Sequence, residues 1–191
     1  MRGGILFLAL AAACASGLWD KPEAADGDLR YTKDNQMIYP ANYRDWIWLS
    51  SGLGMTYHDG AGGDPQFDNV FVSPAAYRGF LTTGTWPDRT VLVLENRAAE
   101  SKGSINKGGH YQGQLAGVEA HVKDKRFKGQ WAFYAFGKDG EAARPIPHAA
   151  DCYFCHEKSA AVDTTFVQFY PTLLQIAMRK NTLRAGWQTA Q

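Results

Sequence analysis

Residues 89–96, which read Arg-Thr-Val-Leu-Val-Leu-Glu-Asn, form the clearest strand pattern in the chain. Aliphatic and β-branched side chains occupy odd and even positions alike, which is typical of a strand covered on both faces. The pattern over residues 111–122 is different, because apolar residues alternate with polar ones from Val118 onward. An alternation with a period of two indicates a strand that turns one face to the core.

Shorter patterns on either side add more strands and helices. Residues 67–72 and 131–136 are expected as strands. Ser73 is the predicted N-cap of a helix that has Pro74 at its first position, runs to about Thr82 and stops at Gly84. Further helices are expected at 41–46 and 171–180, and loops at 51–66, 98–109 and 137–148. Together these elements predict an α+β fold with a mainly antiparallel β-sheet and peripheral helices.

The composition limits the classes of protein that fit. The chain has 191 residues and a formal net charge of +1, so one domain or at most two are expected. Hydrophobic residues make up 45%, which suffices for a packed core. Lys+Arg number 20 against 19 for Asp+Glu, and this balance argues against nucleic acid or an anionic membrane surface as a partner. The 3 cysteines are too few for a disulfide scaffold.

Residues 152–156 read Cys-Tyr-Phe-Cys-His, which is the CxxCH attachment motif of c-type haem. In such a motif, Cys152 and Cys155 form thioethers with the two porphyrin vinyl groups, and His156 is the proximal ligand of the iron. A zinc site would require four ligands, and a thioredoxin-like pair would require a βαβ setting; the sequence shows neither. We therefore expect one covalent haem c, with His156 as its metal ligand.

The sixth coordination position of the iron decides between ligand binding and electron transfer. Met178 is expected to pack in the core from the apolar stripe of its helix. None of the candidates lies in a context that favours ligation, so an open sixth position is predicted. A six-coordinate electron-transfer cytochrome remains the alternative. The residues of suitable type are His58, His110, His121, His148, Met37, Met55 and Met178.

The first 15 residues have the pattern of an export signal, with an early Arg2, an apolar centre and a small-residue end. Cys14 follows a stretch that resembles a lipoprotein signal, so lipidation of Cys14 and ordinary cleavage after Ala13 or Ala15 are both open. Either route predicts a periplasmic protein, soluble or lipid-anchored, which contacts a membrane only if Cys14 is lipidated. The boundaries that we expect are a flexible leader at 16–37, a haem domain at 38–182 and a tail at 183–191.

Several stretches taken together resemble the cytochrome P-460 family of small exported c-type haem proteins. The order and spacing of these stretches agree over most of the expected mature chain, from Tyr39 to about Leu174. The resemblance is therefore more specific than the CxxCH motif alone. The matching stretches are residues 39–46, 86–91, 117–124 and 131–134, and the haem motif through residues 166–171.

The resemblance implies a largely antiparallel β fold, a homodimer and a five-coordinate haem on which His156 is the only protein ligand. It also implies one of two functions, which are the oxidation of hydroxylamine and the binding of nitric oxide or related small ligands. In the hydroxylamine-oxidising members, a lysine is bonded to the porphyrin edge. The alignment places Leu94 at that position, and leucine cannot form this cross-link.

The resemblance also suggests residues for the ligand side of the haem. Glu119 matches a pocket carboxylate and is a candidate proton relay, although its place on the polar phase of its strand is equally consistent with a surface position. Phe67, Phe71 and Leu94 are candidates for an apolar distal wall, which would admit small uncharged ligands.

The sequence favours a nitric oxide-binding haem protein with an unidentified redox partner. Hydroxylamine oxidation and plain electron transfer remain the alternatives, so enzymatic activity is undecided, with a non-enzymatic role favoured.

Overall fold

The computed structural model describes residues 29–57, 63–137 and 140–187. The predicted export signal and Cys14 lie outside the described residues. Within the described part of the chain, no helix is both long and apolar enough to cross a membrane. The strands are β1 (Met37–Ile38), β2 (Ile47–Leu53), β3 (Gln66–Val72), β4 (Val91–Glu100), β5 (Tyr111–Lys123), β6 (Trp131–Gly137) and β7 (Ala142–Ala143). The helices are α1 (Pro74–Thr83), α2 (Asp151–Ser159) and α3 (Pro171–Lys180).

The main sheet has five strands in the order β2-β3-β4-β5-β6, so neighbours in sequence are neighbours in space. Every pairing between them is antiparallel. A second, two-stranded sheet pairs β1 with β7. The predicted α+β fold with a mainly antiparallel sheet and peripheral helices is therefore confirmed.

The two faces of the main sheet are covered by different parts of the chain. Helices α1 and α3 pack on one face through residues such as Phe80 and Leu173, both fully buried. The N-terminal segment packs on the other face through Leu29, Met37 and Tyr43. Because both faces are covered, β4 is apolar on both sides at its start, as its sequence indicates.

Three local expectations are corrected by the structure. Strand β2 occupies Ile47–Leu53, although residues 51–66 were expected as a loop. The helix expected at 41–46 is only a 3-10 turn at Tyr43–Asp45. Strand β4 continues to Glu100, because its later residues pair with β3 and β5 beyond the apolar run.

The folded unit also extends beyond the expected domain limits of 38–182. Leu29 and Met37 are buried, so the second half of the expected flexible leader is part of the core. In the expected tail, Leu183 and Trp187 pack against the helix-covered core. Arg184 donates hydrogen bonds to the carbonyl groups of Lys158 and Glu157 at the end of α2. Residues 29–37 and 183–187 therefore belong to the folded unit, since each stretch buries apolar surface or satisfies backbone groups.

Helix α1 ends where its sequence predicts, but the predicted cap of α1 and the predicted buried face of α3 each differ at one residue. Helix α1 ends at Gly84, whose φ of 78° is in the left-handed region that glycine favours. Ser73 precedes Pro74 as expected, but its side chain makes no capping hydrogen bond. Met178 is 43% exposed, so the expectation that it packs in the core is wrong. Leu173 and Ala177 alone form the fully buried stripe of α3.

A buried polar cluster lies on the sheet face that the N-terminal segment covers. Glu95 on β4 is 3% exposed and accepts hydrogen bonds from Arg97 at 2.6 Å, from Arg44 at 2.8 Å and from the hydroxyl of Tyr43. Burial raises the pKa of Glu95, but these hydrogen bonds outweigh burial and lower its pKa to about 2. The cluster therefore holds an ionised carboxylate inside the fold.

Candidate haem site

A cavity of about 630 Å³ lies between the main sheet, helix α2 and residues 165–171. Its size falls within the range of cofactor sites in proteins. The helix-covered face of the sheet supplies one wall, from Ser50 on β2 to Phe133 on β6. The opposite wall consists of α2 and the segment that leads into α3.

Helix α2 presents the whole CxxCH motif to this cavity. Cys152, Cys155 and His156 all line it, because residues three and four apart lie on one face of a helix. Tyr153 lies between them in sequence and is buried. Its hydroxyl donates to the carbonyl group of Ile146 at 3.2 Å, and its ring contacts Phe133 edge to face. Tyr153 thereby fixes which face of α2 is turned toward the cavity.

His156 has the hydrogen bonding that a metal-bound imidazole requires. Its Nδ1 lies 2.7 Å from the carbonyl oxygen of Thr164. A carbonyl oxygen only accepts, so Nδ1 carries the proton and Nε2 carries the lone pair. Burial lowers the pKa of His156 despite this hydrogen bond, so the ring is neutral at pH 7. The side chain is therefore in the tautomer that binds iron through Nε2.

Three aromatic side chains surround the ring of His156. Phe166 lies at 4.4 Å, Phe133 at 4.6 Å and His121 at 5.0 Å between ring centroids. His121 is also stacked on Phe133, with centroids 4.0 Å apart. This packing restricts the rotation of the imidazole.

The donor set fits a covalently attached haem c. Two thiols and one neutral imidazole converge on a single apolar-walled cavity of sufficient volume. Burial raises the pKa of the Cys152 thiol, so that sulfur is held as a thiol rather than as a thiolate. A haem bound there would supply an iron that coordinates small ligands, and Cys152, Cys155 and His156 are the residues that would hold it.

The sheet wall carries both apolar and acidic groups. Leu94 lines the cavity and pairs across the strands with Glu119 on one side and with Val70 on the other. Glu119 is exposed to the open cavity, so the structure favours the pocket position over the outer surface. The cavity walls partly desolvate the carboxyl group of Glu119 and so raise its pKa, and the nearby carboxylate of Asp68 raises it further. Burial likewise raises the pKa of Asp68.

Two residues that were predicted to form the apolar distal wall do not line the cavity. Phe67 and Phe71 are at odd positions of β3, whereas Asp68 and Val70, which line the cavity, are at even positions. Side chains alternate between the two faces of a strand, so both phenylalanines belong to the opposite face. Phe71 packs there against Tyr43, with ring centroids 5.5 Å apart. The expected distal wall is corrected to Leu94 and Val70.

Only some of the candidates for a sixth ligand of the iron line the cavity within the described residues. Met55 and His121 line the cavity. Met37 is buried on the opposite face of the sheet, His110 is exposed, and His148 is stacked on Tyr153 outside the cavity wall. His58 lies outside the described residues. Met55 is therefore the thioether candidate inside the cavity.

Sequence reasoning missed four cavity residues or neighbours: Asp68, Tyr57, His121 as a ring packed on His156, and Thr164 as its hydrogen-bond acceptor. His121 occupies the polar phase of β5, which is usually the solvent-facing phase, so its burial was not visible. Asp68 faces the cavity because the even-numbered residues of β3 share a face with Leu94 of β4. Which residues share a face follows from the register between the two strands, and the sequence does not reveal that register.

The comparison with protein families gives one match. The family model described as Cytochrome P-460 matches residues 40–167, which include strands β2 to β7 and the CxxCH motif. No curated protein matches the chain.

Proposed function

Because the chain belongs to the cytochrome P-460 family, and is thus a haem c cytochrome, we propose that it carries one covalent haem with a five-coordinate iron. Cys152 and Cys155 form the thioethers, and His156 is the only protein ligand. The open position binds small uncharged ligands, of which nitric oxide is the leading candidate. The protein binds this ligand and exchanges electrons with a redox partner, and neither role requires it to convert a substrate.

One observation carries the proposal. The three residues of the motif converge on one cavity while Thr164 fixes the tautomer of His156, which leaves Nε2 as the lone-pair nitrogen. Across the cavity, the side chains of Leu94 and Val70 offer no nitrogen or sulfur to the iron. This arrangement supports a haem with one strong protein ligand and space on its other side.

The remaining cavity residues explain which ligands fit. Leu94 and Val70 provide apolar surface that favours uncharged diatomic ligands. Asp68, Glu119 and Asp151 line the same cavity, and no Lys or Arg lines it within the described residues. Carboxylates without a cation nearby disfavour an anionic ligand by Coulomb repulsion. The site therefore discriminates by charge as well as by size.

The test is the optical spectrum of the purified ferrous protein before and after addition of nitric oxide. The proposal predicts an ordinary high-spin c-haem spectrum that changes on addition of the gas. His156→Ala, with the haem still attached through both cysteines, is expected to lose the native iron coordination. An unchanged spectrum in this variant would overturn the assignment of the proximal ligand.

Two other functions have a specific observation in their favour. Met55 lines the cavity, and a low-spin spectrum indifferent to nitric oxide would identify a sixth ligand and an electron-transfer cytochrome. Glu119 lines the cavity, where a carboxyl group could pass protons to or from a bound substrate, and this favours hydroxylamine oxidation. A strongly red-shifted ferrous band would indicate a porphyrin cross-link and would make that oxidation the leading function.

The proposal includes the export of the protein to the periplasm and its assembly as a homodimer. The support for export is the pattern of residues 1–15, and c-type haem is attached outside the cytoplasm. The mass of the mature protein distinguishes lipidation of Cys14 from simple cleavage after Ala13 or Ala15. Sedimentation of the haem-loaded protein tests the dimer, which rests on the family resemblance.

A further inference from the structure

The carbonyl group that orients His156 belongs to a tight turn at residues 162–165. Val162 and Thr165 close this turn with a hydrogen bond of 2.9 Å, and Asp163 within it has a φ of 51°. Aspartate tolerates the left-handed region, so the turn can form locally, but a short turn between α2 and α3 has no strand or helix of its own to fix its position. The position of the Thr164 carbonyl group therefore depends on what contacts the turn.

Strand β5 contacts this turn with two polar side chains. Nε2 of His121 lies 3.2 Å from Oγ1 of Thr164, the same residue whose carbonyl group accepts from His156. Two residues further along β5, Nζ of Lys123 lies 3.0 Å from a carboxylate oxygen of Asp163. Lys123 and His121 are on the same face of β5, so this face contacts two consecutive residues of the turn, Asp163 and Thr164.

A third contact fixes the end of the turn. The indole N–H of Trp86 donates to Oγ1 of Thr165 at 2.8 Å, and that hydroxyl donates to the carbonyl group of Val162 at 2.8 Å. Lys123 also donates to the carbonyl group of Trp86 at 2.9 Å. Lys123 thereby joins the turn and the Trp86 segment into one hydrogen-bonded unit.

We propose that His121 and Lys123 are positioning residues that hold the turn at 162–165, and so set the strength of the hydrogen bond from His156 to Thr164. The inference rests on the proposed function only in that His156 must bind the haem iron. It assigns a role to the polar side of β5 that neither the motif nor the family match assigns.

The proposal has a defined electronic consequence. A stronger hydrogen bond from Nδ1 increases the basicity of the imidazole, which stabilises the oxidised iron. If the turn loosens, that bond weakens and His156 donates less charge. We therefore expect the reduction potential to rise and the iron–histidine stretching frequency of the ferrous protein to fall.

The experiment measures both quantities in the haem-loaded protein for single and double variants. Thr164→Val removes Oγ1 and keeps the shape of the side chain, and His121→Phe keeps an aromatic ring but removes Nε2. Each is expected to raise the potential and to lower the stretching frequency. Thr164→Ser keeps the hydroxyl and should retain wild-type values. Because both changes remove the same contact, the double variant should shift no further than the larger single shift.

Lys123 is tested through its ion pair. Asp163→Asn removes the charge and keeps a residue that tolerates a positive φ, so the turn can still form. It is expected to shift the potential in the same direction as Lys123→Met. Lys128→Met, at an exposed position outside this contact, is the matched control and should leave the potential unchanged.

The outcomes separate this inference from the proposed function. Wild-type values in both Thr164→Val and His121→Phe would overturn it, as would a double variant whose shift is the sum of the two single shifts. A low-spin wild-type spectrum would instead refute the open iron. The test of His121 and Lys123 would stand in that case, since the potential reports the His156 bond in either coordination state.

Discussion

Asp68 is one of three carboxylates that line the cavity, although no motif includes it. Its carboxyl group is half-buried, and burial raises its pKa. It also raises the pKa of Glu119 and of the Tyr57 hydroxyl, for both of which burial is the larger cause. All three side chains line the same cavity, so two carboxyl groups and a phenol face the space beside Leu94.

We predict that Asp68→Asn strengthens the binding of azide to the ferric protein by about tenfold, because one repulsive charge near the ligand is removed. Binding of carbon monoxide to the ferrous protein should change little, since that ligand is uncharged. Optical titration at mildly alkaline pH measures both affinities. Asp34→Asn, at an exposed position, is the control, and equal gains in the two variants would contradict the cavity effect.

At the level of single residues, the sequence predicts the shared face of Cys152, Cys155 and His156 well and the other walls of the cavity poorly. Cys152, Cys155 and His156 are set by local spacing, which a helix turns directly into a shared face. Phe71 was assigned to the wrong face of β3, and the packing of His121 against His156 was not predicted, because both depend on which strand lies alongside and on what covers the sheet. Such contacts come from residues distant in sequence, which no local pattern contains.

Strand β4 carries a charge where its sequence pattern suggests a covered apolar strand. Glu95 is buried, and its ionised form is satisfied by Arg97, Arg44 and Tyr43. We predict that Glu95→Gln lowers the free energy of unfolding by about 3 kcal/mol, because two arginines lose their anionic partner. Denaturant titration measures the loss. Glu100→Gln, at the exposed end of the same strand, should lose far less, and a comparable loss would refute a special role for Glu95.

The end of helix α1 is also its contact with the end of α3. A Cβ at Gly84 would lie 2.7 Å from Cβ of Lys180, and the φ of 78° disfavours any other residue. Gly84→Ala is therefore expected to destabilise the fold by about 2 kcal/mol. The thermal midpoint checks this, with Gly108→Ala as the control because nothing lies within 4 Å of its Cβ position. Equal midpoints in the two variants would disprove the contact.

Among the elements, β4 was predictable from its unbroken run of aliphatic and β-branched residues, and β5 from the two-residue alternation of its apolar side chains. Strand β2 was not, because Ser50, Ser51 and Gly52 have low strand propensity and are held by pairing with β3. The segment from Leu29 to Met37 was equally hidden, since its few apolar residues reveal nothing until the uncovered sheet face is known.

For the whole molecule, Glu95 makes stability depend on acid. Its pKa falls from 4.5 in the unfolded chain to about 2 in the fold. The stabilisation is therefore complete above pH 4.5 and is lost as the pH falls toward 2. We predict that the free energy of unfolding declines in this window, and that Glu95→Gln declines less. Denaturant titrations at several pH values measure both slopes, and equal slopes would rule out Glu95 as a source.

The strand order has a consequence for the timing of assembly. The five strands of the main sheet pair with their neighbours in sequence, with α1 inserted between β3 and β4, whereas the pairing of Met37 with Ala143 joins positions about a hundred residues apart. The segment at 152–156 follows the sheet, and Arg184 secures it only from the last part of the chain. We expect residues 152–156 to dock after the main sheet has formed, and to stay accessible to solvent until the contacts of Arg184 and the pairing of β1 with β7 complete the fold.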